Sequence, residues 1–128
     1  MADITITDVT YTIQKQGGKE TLRVSAREKM SLVKIEFGDS VKLYKRATGV
    51  PFTDKPGKVG LLRQINRAVV VGKVKDGTGL EYIWHYDNDG KNLFGTEEVA
   101  AADATALTEI ANATAIVAQV LFVQVYGW

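Results

Sequence analysis

The residues best suited to chemistry lie in one short stretch, EYIWHYDNDGKNLFG, at positions 81–95. It holds the only histidine of the chain, His85, together with two aspartates, two tyrosines and a tryptophan. A histidine beside carboxylates can act as a general base or a metal ligand, and neighbouring aromatic rings can stack on sugars as they do on bases. The stretch is therefore either a functional site or a β-hairpin with aromatic strands and an acidic turn.

The acidic segment Asp87–Gly90 resembles part of a calcium-binding loop, but its spacing is wrong for one. An EF-hand loop needs a bidentate acid about six residues after its glycine. Position 96 is a threonine, and Glu97 follows one residue too late. Because an Asx-Gly pair between two alternating runs is typical of a turn, the sequence predicts a turn here and no metal site.

The catalytic alternatives also lack partners. A single histidine excludes metal sites that need two imidazoles, and the absence of cysteine excludes thiolate ligands and disulfides. No serine lies in a nucleophile elbow, and Gly57 and Gly60 are not followed by the Lys-Ser/Thr pair of a phosphate-binding loop. We expect a protein that is not an enzyme and has no catalytic residues and no cofactor.

Alternation places Tyr82, Trp84 and Tyr86 on one face of a strand. Such a face could bind carbohydrate, which keeps a sugar-binding β-sandwich module as an alternative. Core packing is favoured, since each strand of an antiparallel sandwich needs one bulky face. The stretch is then interpreted as a hairpin, and the functional residues are sought elsewhere.

The elements that would position any site are mostly strands. Polar and apolar residues alternate over 9–14, 22–27 and 33–38, and glycine-containing turns lie at QGGK (16–19) and FGDS (37–40). The chain is long enough for one domain and too short for two ordinary ones. We predict a single all-β domain over residues 1–128, an antiparallel β-sandwich with jelly-roll-like strand order, in which residues 1–7 form an extended N-terminal arm.

Three stretches depart from simple alternation. ATGVPFTDKPGK (47–58) holds both prolines and predicts a shaped loop, which either makes partner contacts or is a plain surface crossover. RAVVVGKV (67–74) is rich in β-branched residues and predicts a strand buried on both faces. TEEVAAADATALTEIANAT (96–114) predicts at most one short helix near 97–111.

The final apolar stretch, AIVAQVLFVQVYGW, has apolar residues on both faces of a predicted strand. It lies centrally in a sheet, or it packs one face against a neighbouring subunit. The apolar-leaning run at 113–123 is too short to span a bilayer as a helix. A formal charge of +1, spread along the chain, argues against nucleic acid as a partner, so neither nucleic acid nor membrane is expected.

Several segments together resemble the head decoration, or cement, proteins of small tailed bacteriophages. The resemblance covers nearly the whole chain, and the loop after Tyr44 departs from the pattern by having Arg46-Ala47 and a single glycine. The matching segments are Met1-Ala2-Asp3, Phe37-Gly38-Asp39, Tyr44 with Thr48-Gly49-Val50-Pro51-Phe52, Val59-Gly60-Leu61, Ile83-Trp84-His85-Tyr86-Asp87 and Gly127-Trp128.

The resemblance implies a non-enzymatic virion protein that binds and stabilises the outer surface of a phage capsid after synthesis in the host cytoplasm. Its expected partners are the major capsid protein and further copies of itself, as a homotrimer; a minor tail or neck protein is a further alternative. Candidate contacts are then the second apolar face of the final strand, the proline loop and the N-terminal segment. The residues expected to contact the capsid or a neighbouring subunit are Ile4, Ile6, Val50, Pro51, Phe52, Pro56, Phe122, Tyr126 and Trp128.

Overall fold

A computed structural model describes residues 2–74, 82–98 and 107–128, apart from the side chains of residues 98, 107 and 108. Within these ranges the chain is built from strands, with two short 3-10 turns at Ile6–Asp8 and Pro56–Val59. The strands are β1 (Thr10–Gln14), β2 (Leu22–Ser25), β3 (Glu28–Phe37), β4 (Leu43–Tyr44), β5 (Val50–Pro51), β6 (Ile65–Val74), β7 (Tyr82–Asp87), β8 (Asn92–Glu98), β9 (Leu107–Glu109), β10 (Thr114–Ala115) and β11 (Gln119–Gly127).

The larger sheet has five strands in the order β1-β3-β11-β6, and β2 also pairs with β3. All of its pairings are antiparallel. The final strand β11 lies between β3 and β6 over its whole length. The sequence left two alternatives for this strand, a central place in a sheet or one face against a neighbouring subunit. The structure shows the central place.

The QGGK turn forms as predicted, but the strands on either side of it do not pair with each other. Gly17 and Gly18 have φ of 62° and 82°, and Gln16 and Lys19 form an antiparallel bridge. Strand β1 places Gln14 opposite Leu32 of β3, and β2 continues along the same edge of β3. Residues 15–21 are therefore an excursion between two strands that lie end to end.

The second sheet has four strands, in the order β5-β8-β7 with β9 paired to β8, and a separate two-stranded sheet joins β4 to β10. The predicted hairpin is confirmed, because β7 and β8 pair with Trp84 opposite Gly95. The left-handed residue of its turn is Lys91, with φ of 54°, rather than Gly90.

The core lies between the two large sheets, which confirms the all-β sandwich. Phe37 of the first sheet meets Trp84 of the second edge to face, with ring centroids 4.9 Å apart. Tyr11 of β1 likewise meets Phe52, which follows β5, at 5.5 Å. The first and last strands are not neighbours, since β3 lies between β1 and β11.

The expectation of at most one short helix near 97–111 is tested only at the ends of that region. Residues 97–98 and 107–109 are strands that pair with each other, and residues 99–106 lie outside the described ranges. The expectation for the proline loop needs correction. The proline loop is not free of sheet structure, because Val50 and Pro51 pair with Leu93 and Asn92 of β8. Proline fits there because β5 is an edge strand, where a missing donor can face away from the ladder.

The N-terminal segment packs against its own chain. The backbone N–H of Ile4 donates to the Leu43 carbonyl, and the N–H of Leu43 donates to the Ala2 carbonyl, both at 3.0 Å. The Ile4 side chain is buried in the core. Ala2 to Ile4 therefore form a short parallel addition beside β4 instead of a free arm.

Candidate interaction surface

The outer face of the five-stranded sheet carries several incompletely buried apolar residues. We define it as the face opposite the core, carrying Val120, Phe122 and Tyr126 of β11 and the side chains aligned with them on β3 and β6. Alternate residues of β11 are fully buried in the core, whereas these three are only half-buried. No layer of this chain's described residues covers them in the way that the second sheet covers the inner face.

Strand β6 adds exposed valines to the outer face. Val69 lies opposite Gln124 and Val74 opposite Val120, while Val71 falls at a β-bulge and lines a concavity with Trp84 and Leu121 instead. Their side chains are 48%, 49% and 49% exposed, respectively. The prediction that residues 67–74 are buried on both faces is wrong, because β6 is an edge strand of a sheet with only one covered face.

Charged groups on the outer face are paired with each other. The Arg67 guanidinium lies 4.2 Å from the centre of the Tyr126 ring and 3.1 Å from a carboxylate oxygen of Glu28. Lys34 and Glu36 of β3 approach to 3.7 Å. Because these charges cancel locally, the face suits an apolar protein surface better than a polyanion.

Three of the predicted contact residues lie in the core. Ile4, Val50 and Phe52 are almost completely buried, Phe52 between the rings of Tyr11 and Tyr86. Their apolar character serves the fold of this chain, so their side chains are not available to a partner.

The other predicted contact residues divide among separate places. Ile6 and Pro51 line one shallow concavity beside the β7–β8 turn, and Pro56 begins the second 3-10 turn. Phe122 and Tyr126 lie together on the outer face, four residues apart on one strand. Trp128 lies at the end of the sandwich, beyond the last pair of β11.

The aromatic stretch is structural. Trp84 is 3% exposed, and its indole N–H donates to the side-chain oxygen of Gln119 at 3.0 Å. Tyr82 and Tyr86 are half-buried against the same core, while His85 lies exposed on the opposite face of β7. The interpretation of this face as core packing is confirmed for Trp84.

Two ionisable groups near the N-terminus have shifted pKa values. The ammonium of Lys42, with help from the backbone and hydroxyl of Thr5, lowers the pKa of Asp8 to about 2. Burial raises the pKa of Tyr11 to about 12, against the opposing effect of the Thr53 backbone N–H, which donates to its hydroxyl at 2.8 Å. Asp8 thereby fixes the 3-10 turn against Lys42, and Tyr11 fixes the proline loop through Thr53.

Among the described residues no group of three or more acidic, histidine or cysteine side chains is arranged to hold a metal ion. In the same ranges no helix has the length and hydropathy needed to cross a membrane. Comparison with protein-family models, with curated proteins and with solved structures finds no match to this chain.

The exposure of the β6 valines was not predicted from the sequence. A signal was present, because charged residues flank the valine run at Arg67 and Lys73. Charges at such positions are typical of a sheet edge, where they discourage unwanted strand pairing.

Proposed function

We propose that this chain is a non-enzymatic virion structural protein that binds the outer surface of a phage capsid and stabilises it, as a head decoration or cement protein. The observation that carries the proposal is the outer face, where half-exposed valines of β6 extend the half-buried aromatic residues of β11. Apolar side chains grouped outside an already formed core, among paired charges, are typical of a protein-binding site. Its internally paired charges favour a protein partner.

The resembling segments support the proposal through their structural roles. Gly38 and Gly49 have φ of 93° and 68°, and a Cβ at either would collide with a backbone carbonyl oxygen, of Val117 and Leu93 respectively. Val59 and Leu61 are core residues on either side of the left-handed Gly60. These residues specify turns and packing. A pattern of them that resembles the decoration proteins therefore favours an architecture like theirs.

The major capsid protein is the proposed partner, and self-association into a trimer is proposed as the means of matching shell symmetry. Symmetric copies that each bind weakly gain large avidity when a shell presents many equivalent sites. A modest apolar face on each copy is then sufficient for tight binding to the shell. The virion exterior is the corresponding proposed location.

The carbohydrate-binding alternative loses its central ring, since Trp84 is buried and its N–H is already bonded within the chain. Ring stacking on a sugar requires an exposed face. The two half-buried tyrosines that flank it, Tyr82 and Tyr86, both pack on the core. No described contact favours this alternative over the capsid-binding proposal.

The proposal is tested by co-sedimentation of the purified protein with capsids of its source phage that lack it. Val69→Lys places a charge on the outer face and is expected to weaken binding at least tenfold. Val41→Lys is the matched control, because Val41 is 55% exposed and lies outside the sheet.

Equal circular dichroism spectra and melting temperatures would show that both variants fold. If Val69→Lys sediments with capsids as well as the unaltered protein does, the outer face is not the binding surface. If the unaltered protein itself fails to sediment with them, capsid binding is excluded. Selective loss with Val69→Lys alone supports the proposal.

A further inference from the structure

A second surface, distinct from the outer face, lies at the end of the sandwich around Trp128. It is an open concavity of about 530 Å³ lined by Ala26, Arg27, Arg63, Gln64 and Trp128. Three parts of the chain meet there: the β2–β3 turn, the segment before β6 and the residue after β11.

Backbone contacts hold this concavity in shape. The N–H of Trp128 donates to the Gln64 carbonyl at 3.0 Å, and the N–H of Gln64 donates back to the Trp128 carbonyl at the same distance. Gly127 permits this approach, since a Cβ there would collide with the Gln64 carbonyl oxygen. The segment carrying Arg63 is thus fixed beside the tryptophan.

The lining combines positive charge with apolar surface. Within the described part of the chain, neither Arg27 nor Arg63 forms an ion pair or a side-chain hydrogen bond, and no aspartate or glutamate lines the concavity. The Lys29 ammonium lies 6.0 Å from the centre of the Trp128 ring. The basic side chains therefore surround the indole.

We propose that this concavity binds an acidic protein segment whose carboxylates pair with Arg27 and Arg63 and whose apolar side chain packs on Trp128. Tryptophan and arginine together are the residue types that dominate binding energy at protein interfaces. The indole beside the arginines favours a peptide over a polyphosphate, which has no apolar group to place there. The inference names the chemistry of the partner at this end and does not depend on that partner being a capsid.

The test uses the full chain labelled with nitrogen-15 and titrated with the peptide acetyl-Glu-Glu-Phe-Glu-Glu-amide, observed by NMR. The chain has two tryptophans, so the indole signal of buried Trp84 serves as an internal reference for that of Trp128. The peptide is expected to shift the Trp128 indole and the Arg27 and Arg63 amides, and not the Trp84 indole. A peptide with glutamine at every glutamate position is expected to shift them at least fivefold less.

The double variant Arg27→Gln/Arg63→Gln is expected to bind the acidic peptide about fivefold more weakly, the loss expected from two exposed ion pairs. Lys45→Gln is the control, because Lys45 is exposed and outside the lining. Equal shifts with the neutral peptide, or equal weakening by the control, would overturn the proposal, as would the absence of shifts at millimolar peptide. Tighter binding of tripolyphosphate than of the peptide at the same signals would also overturn it.

Discussion

The indole N–H of Trp84 and the side-chain oxygen of Gln119 form a buried hydrogen bond of 3.0 Å that joins the two sheets of the sandwich. The same Gln119 oxygen accepts from the Lys73 ammonium at 3.2 Å. One amide therefore satisfies a polar group from the second sheet and a cation from the edge strand of the first. Loss of the Gln119 amide would leave the Trp84 indole and the Lys73 ammonium without this acceptor.

Replacing Gln119 by leucine is expected to destabilise the protein by about 2 kcal/mol. Leucine is similar in volume to glutamine, but the buried indole N–H of Trp84 loses its acceptor, at a cost of roughly 1–3 kcal/mol. Urea denaturation followed by tryptophan fluorescence measures the change. Gln124→Leu is the control, since Gln124 is a glutamine of the same strand on the outer face; equal destabilisation of both variants would show that the Trp84 bond is not the cause.

Gly49→Ala is expected to destabilise the fold by about 2 kcal/mol or more, because it adds backbone strain at φ of 68° and a collision with the Leu93 carbonyl. Gly57→Ala is the matched control: a Cβ at Gly57 meets nothing within 4 Å. The control should be neutral or slightly stabilising. Thermal melts of the two variants decide between these outcomes, and similar melting temperatures would contradict the described course of the loop.

Asp8 is expected to stabilise the folded protein above pH 4 and to lose that effect as the pH falls from about 4 to about 2. Its pKa is lowered in the folded state from 3.8 to about 2 by Lys42, so the folded form favours the ionised carboxylate. The contribution is fully present above 3.8 and disappears as the group becomes protonated in both states. Because the pair is near the surface, the effect is limited to about 1 kcal/mol.

Urea midpoints between pH 7 and pH 2 for the unaltered protein and Asp8→Asn measure this effect. The two curves should differ at neutral pH and converge near pH 2. Asp54→Asn is the control, since Asp54 is exposed and forms no ion pair among the described residues. A difference that persists unchanged to pH 2 would exclude the Asp8 carboxylate as its source.

Tyr11 is expected to ionise near pH 12, above the ordinary value of 10.0, because its hydroxyl is buried in the folded state. A tyrosine with a raised pKa stabilises the fold below pH 10 and loses that contribution as the pH rises towards 12. Absorbance titration of phenolate in the unaltered protein and in Tyr11→Phe isolates this group. If the difference curve titrates near pH 10, the Tyr11 hydroxyl is not buried as described.

Local patterns in the sequence predicted the strands, the turns and the aromatic hairpin well. Alternation at β1, β3 and β7 reflects one buried face per strand, a property that neighbouring residues encode directly. Pairing partners are not encoded in that way. Both β1 and β2 pair with β3 and not with each other, because the register along a long strand depends on contacts distant in sequence.

The candidate surface was only partly predictable. Phe122 and Tyr126 were expected to make contacts because β11 has more apolar residues than one core face requires, and they lie on the outer face. Ile4 and Phe52 show the limit of such reasoning, since an apolar residue in a loop or terminal segment can equally well be core. The surface at Trp128 needed the structure, because it combines residues from three separate parts of the chain.

The central claim, that this is a capsid decoration protein, is tested most directly by its copy number in purified particles of its source phage. Quantitative mass spectrometry would compare it with the major capsid protein in the same sample. The account predicts hundreds of copies in a simple ratio to the capsid subunit. A handful of copies would indicate a tail or neck protein instead, and complete absence from the particle would contradict a structural role in the virion.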